Sequence, residues 1–107
     1  MKLLIKKLAD GQVTRVGEID FPDAAEPTLT VTAQGAMADE LRAAWNAVRA
    51  LPVIAMKWSE PDPQDESGDT FLIDGADVRP GTPEYPRAVA DLLSRRYGFF
   101  ASPAEYG

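Results

Sequence analysis

Residues 2–19 read KLLIKKLADGQVTRVGEI. Two runs of β-forming residues, 2–8 and 12–19, flank Ala9-Asp10-Gly11. Asp-Gly is a strong turn pair because both residues tolerate positive φ, so the stretch predicts a β-hairpin. Its register has two solutions. A two-residue turn pairs Leu8 with Val13, Ile5 with Val16 and Lys6 with Arg15, which sets like charges opposite each other. A three-residue turn pairs Leu4 with Val16 and Lys6 with Thr14, and removes that conflict. The second is the preferred expectation.

Working outward, residues 20–27 (DFPDAAEP) are a loop with two prolines and three acids. Residues 28–33 (TLTVTA) alternate, with Leu29, Val31 and Ala33 on one face and three threonines on the other. That is a half-buried strand. Residues 36–50 carry Met37, Leu41, Ala44, Trp45 and Val48 at steps of three and four, continued by Leu51, one apolar helical stripe. Asp39 and Glu40 early and Arg49 late suit the helix dipole, and Pro52 ends the run.

Residues 53–58 (VIAMKW) predict a strand, and 59–69 (SEPDPQDESGD) an acidic loop. Residues 70–74 (TFLID) predict a short strand, continuous in apolar character and therefore central. Thr82 and Pro83 offer a cap and a first helical residue, with Pro86 delaying the regular helix. Val89, Leu92 and Leu93 form a second stripe. Gly98 predicts a left-handed helix stop, with Phe99 folding back near Leu93.

The expected fold class is α+β: a four- to five-stranded antiparallel or mixed sheet with two helices on one face, in the order β-β-β-α-β-β-α. Residues 1–100 form a single compact domain, and 101–107 a flexible C-terminal tail. The 107 residues suffice for one domain. Leu, Ile, Val and Phe account for 24 of them, just above the level at which a core becomes unaffordable.

Composition narrows function by exclusion. The chain has no Cys and no His. A thiolate nucleophile, a zinc finger, a haem axial His and a Ser-His triad are all ruled out. Net charge is −6, which disfavours nucleic acid or an anionic membrane as the main partner. The charge is uneven: residues 1–16 carry +3 and residues 17–107 carry −9. The opening apolar stretch of three residues is too short for a secretory signal, and no apolar run is long enough to span a membrane. The cytoplasm is the expected compartment.

Several clusters invite a chemical reading. Glu60, Asp62, Asp65, Glu66 and Asp69 resemble a cation-binding loop in composition, but an EF-hand beginning at Asp62 would need Gly where Ser67 stands and a carboxylate where Ile73 stands. No metal is expected there, and a solvated loop that aids solubility, or an acidic contact surface, is the plainer reading. Asp74, Asp77 and Glu84, with Tyr85, are the first acid–base candidates, though turn and helix-end roles explain the three acids. Arg79, Gly81 and Thr82 lie where a helix N-terminus can hold phosphate, without the glycine motif that would support it. Lys6, Lys7 and Arg15 on the hairpin can meet an acidic partner. Tyr97, Phe99, Phe100 and Tyr106 put four aromatics within ten residues, a composition typical of interface anchors.

The expected function is a small acidic, non-catalytic protein-binding module of the adaptor, inhibitor, immunity or antitoxin kind. Its contact residues are Trp58, Asp62, Asp65, Glu66, Phe100 and Tyr106. Its partner is another protein with a basic surface. No cofactor and no catalytic residue are assigned. A homo-oligomeric subunit pairing through an edge strand such as 28–33 is the alternative, and a carboxylate-based enzyme ranks third.

Overall fold

The computed structural model describes the chain except residues 24, 62–63, 65–66, 68–70 and 105–107, and except the side chains of 57–61 and 71–74. Eight elements follow one another: β1 (Lys2–Ala9), β2 (Gln12–Asp20), β3 (Thr28–Val31), α1 (Ala36–Arg49), β4 (Ile54–Pro61), β5 (Phe71–Val78), α2 (Tyr85–Tyr97) and β6 (Phe100–Pro103). The fold is α+β, with the expected β-β-β-α-β-β-α order and one strand more at the end. Four strands form an antiparallel sheet in the order β3-β2-β1-β6, and β4 and β5 pair as a separate two-stranded sheet.

The opening hairpin takes the two-residue turn. Asp10 and Gly11 both have positive φ, 52° and 77°, and Ala9 faces Gln12. Leu8 therefore pairs with Val13 and Lys6 with Arg15, so the three-residue register preferred above is overturned. The like-charge conflict is relieved from within β2. The Arg15 guanidinium donates to Glu18 Oε2 at 2.8 Å, and Lys2 Nζ lies 4.0 Å from the same carboxylate.

The register then shifts between Ile5 and Lys6, so that Ile5 faces Gly17 and Val16 is the extra residue of a β-bulge. This bulge reverses the parity of β2. Val13 and Arg15 point to one side of the sheet. Without the insertion Gly17 and Ile19 would join them. With it, Ile19 comes opposite Leu3 and both are buried, as is Val16. Gly17 is needed for a spatial reason. A Cβ there would meet the Thr30 carbonyl oxygen at 2.6 Å and Leu41 Cδ2 at 2.7 Å.

Both helices cover the face that carries Leu3, Ile5 and Ile19. α1 contributes Leu41, Ala44, Trp45 and Val48, and α2 contributes Ala88, Val89, Leu92 and Leu93, all buried in one cluster. Phe21, just beyond β2, closes that cluster by edge-to-face contacts with Trp45 and Tyr85, at centroid separations of 6.4 and 6.0 Å. α2 begins at Tyr85, with Pro86 in its first turn, and not at Thr82–Pro83. The Thr82 hydroxyl donates to the Arg79 carbonyl at 2.8 Å instead of capping the helix, and Glu84 occupies the cap position. The end of α2 is as expected. Gly98 is left-handed, the Phe99 N–H donates to the Leu93 carbonyl at 3.1 Å, and Phe99 is buried.

Two further expectations are corrected. The tail placed at 101–107 begins too early, because Ala101–Pro103 continue β6 and pair with β1, and the Ala104 N–H donates to the Lys2 carbonyl. The strand predicted at 70–74 is not central. β5 runs from Phe71 to Val78 and, among the described residues, pairs with β4 alone. Arg95 ties that second sheet to the body, reaching Asp91 on its own helix and the Ala55 carbonyl on β4.

Candidate functional site

Of the six contact residues expected from the sequence, Phe100 is described in full, and it is 53% exposed. Trp58 sits in β4 opposite Asp74, with its side chain outside the described residues. Asp62, Asp65, Glu66 and Tyr106 also lie outside them. Phe100 therefore marks the place from which a site can be built.

The helices cover one face of the four-stranded sheet, and the other face is turned outward. Strand alternation and register decide what lies there. Phe100 on β6 is opposite Lys6 on β1, which is opposite Arg15 on β2. The next row toward the turn is Leu8 opposite Val13. Adjacent strands lie about 5 Å apart and same-face positions about 7 Å apart along a strand, so these five side chains form one patch. Among the described residues four large apolar side chains are exposed, Met1, Leu8 (55%), Val13 (59%) and Phe100, and the last three share this patch.

The patch is basic as well as apolar. Arg15 is engaged by Glu18 but still half exposed. Lys6 makes no ion pair among the described residues. Lys7, grouped with these two in the sequence analysis, belongs to the inner side. Its ammonium lies 2.6 Å from Glu40 Oε2 and 4.6 Å from the centre of the Phe99 ring, tying β1 to α1 and to the end of α2.

Leu8 and Val13 were not singled out by the sequence analysis. The signal was present: in KLLIKKL both alternating sets contain leucine, so one face alone cannot hold all the apolar residues. The helices lie over Leu3 and Ile5 on the inner face, and among the described residues no layer lies above the outward set.

Of the other expected sites, the Asp74 side chain and most of the acidic loop lie outside the described residues. Asp77 and Glu84 are exposed, on β5 and at the α2 cap. The Arg79–Thr82 segment is closed by its own hydrogen bonds. No group of acidic residues able to hold a metal ion occurs among the described residues. A groove of about 810 Å³ lies between the loop after β2 and the start of α2, with Phe21, Tyr85, Pro22, Pro27 and Pro83 among its walls. Burial raises the Tyr85 pKa, opposed by the nearby Arg49 charge. The phenol is thus a protonated donor at neutral pH and not a base.

No family model, curated protein or solved structure matches the chain. The functional reading therefore rests on this chain's own residues.

Proposed function

We propose that the chain is a non-catalytic protein-binding module, acting in the cytoplasm, and that it engages its partner through the outward face of the β1–β2–β6 sheet. The observation carrying this reading is the clustering of Leu8, Val13 and Phe100, each more than half exposed, on the one face of that sheet without helices. Exposed apolar side chains scattered singly are ordinary, whereas a contiguous group rimmed by polar residues marks a contact surface. Aromatic residues and arginine are enriched at interfaces, and Phe100 and Arg15 lie on this face to either side of Lys6.

The lack of His and Cys in the sequence supports a binding role over nucleophilic or imidazole-based catalysis. No helix among the described residues is long and apolar enough to cross a membrane. The acidic loop expected to meet a basic partner lies outside the described residues, so the sheet face is the better-supported surface.

A photo-crosslinking residue at position 100, compared with one at the exposed Ala47 on α1, tests the reading in native cells. A discrete adduct with another protein from position 100, absent from position 47, is expected. Indiscriminate adducts from both positions would contradict it. An adduct twice the chain's mass would instead favour the homo-oligomer, for which the observation is that β3 stands at the sheet edge with Thr28 and Thr30 exposed.

A further inference from the structure

We infer that the segment received by this face is acidic and apolar together: a stretch of another protein in which carboxylates stand beside leucine- or phenylalanine-like side chains. The inference rests on the binding reading above and adds the partner's chemistry to it.

Charge on this chain is strongly asymmetric. The whole molecule carries −6, yet the two rows around Phe100 present Lys6 and Arg15 and no carboxylate. Glu18 lies further along β2 and is occupied by Arg15 and Lys2. Alternation sets Lys7 on the inner side, where Glu40 holds it, and the outward Lys2 lies 4.0 Å from Glu18, so Lys6 is the outward cation of β1 without an ion pair among the described residues. Lys6 has its charge unpaired among the described residues, between the Phe100 and Arg15 positions. A carboxylate arriving there meets Lys6, whose partners among the described residues include no carboxylate to displace, beside an Arg15 that Glu18 engages but leaves half exposed. Leu8, Val13 and Phe100 supply the apolar area that a charge-only contact lacks.

Three other occupants fit less well. A second copy docked symmetrically about this patch would bring Lys6 and Arg15 near their own copies. A strand added at the β6 edge meets Pro103, which has no N–H to give. A single-stranded nucleic acid needs stacking platforms, and the patch offers one ring beside two aliphatic side chains, on a molecule whose net charge repels phosphate.

The probes are short synthetic peptides titrated into the full, isotope-labelled chain, followed by amide chemical shifts. One alternates Glu with Leu and Phe. A second replaces each Glu by Lys. A third keeps the Glu residues and replaces the apolar ones by Gly. A short oligothymidylate completes the set. The Glu–Leu/Phe peptide is expected to shift Lys6, Leu8, Val13, Arg15 and Phe100 selectively, more weakly at high salt. Lys6→Gln with Arg15→Gln is expected to weaken that binding about tenfold, and Leu8→Ser by a similar factor, with melting temperature unchanged. Preference for the Lys peptide on these residues would overturn the inference while leaving the binding face intact. Equal shifts from the Glu–Gly peptide or the oligothymidylate would overturn it as a polyanion effect. No shift from any probe would also overturn it, and position-100 crosslinking would then decide the binding reading separately.

Discussion

The two faces of the four-stranded sheet are built from the same strands and end in opposite states. On the inner face Leu3, Ile5 and Ile19 are buried beneath two helices. On the outer face Leu8, Val13 and Phe100 are more than half exposed. On β1 the difference follows from alternation, which sets Leu3 and Ile5 on the opposite side from Leu8, and on β2 it arises at the bulge at Val16, which turns Ile19 inward while leaving Val13 outward. Apolar residues on a strand are therefore not equivalent. Those on the inner face hold the fold, and those on the outer face contribute little to it and are available for contact.

The largest effect should come from the inner side. Phe99 is buried at the end of α2, under the Lys7 ammonium. Phe99→Ala should cost about 3–5 kcal/mol by denaturant unfolding, enough to threaten a domain of this size. A cost near zero would mean that β6 is not anchored as described.

Gly17→Ala should follow. The added methyl meets the backbone of β3 as well as Leu41, and backbone cannot step aside as a side chain can. A loss of about 1–3 kcal/mol is expected. An unchanged midpoint would show that the bulge and β3 do not meet at the described spacing.

A smaller effect concerns pH. Burial holds the Tyr85 phenol above its ordinary value of 10.0, so the folded chain keeps this proton after the unfolded chain has released it. The associated stability is full below that pH and declines as pH rises through the higher folded-state value. Melting temperatures on either side of pH 10.0 should show the decline, and Tyr85→Phe should flatten it. An identical slope in the variant would place the alkaline loss elsewhere.

On the outer face, Leu8→Ser, Val13→Ser and Phe100→Ser should each change stability by less than about 0.5 kcal/mol. Their expected effect is on binding.

What the sequence revealed was local. The Asp10-Gly11 turn, the α1 stripe and the Gly98–Phe99 stop each depend on residues a few positions apart. The two-residue turn was visible too, but the Lys6–Arg15 conflict weighed against it, since nothing in the strand pattern pairs Arg15 with Glu18 three residues on. β6 was hidden because a four-residue segment ending in Pro103 has no periodicity, and its partner β1 lies at the other end of the chain. β5 misled because a continuous apolar run suits a central strand, whereas here it pairs in a separate hairpin. Phe100 was legible as an aromatic beside Phe99, one buried and one exposed as strand alternation requires. Leu8 and Val13 were not, because their exposure depends on where the helices stop.

The most direct measurement pairs two readings on one variant. Leu8→Ser, Val13→Ser and Phe100→Ser are combined. The melting temperature and the yield of the complex with the position-100 crosslink partner are then compared with the unsubstituted chain, the partner being recovered by its own tag. The account predicts a melting temperature within a few degrees of the original and loss of the complex. A complex recovered in full from a folded triple variant would contradict it.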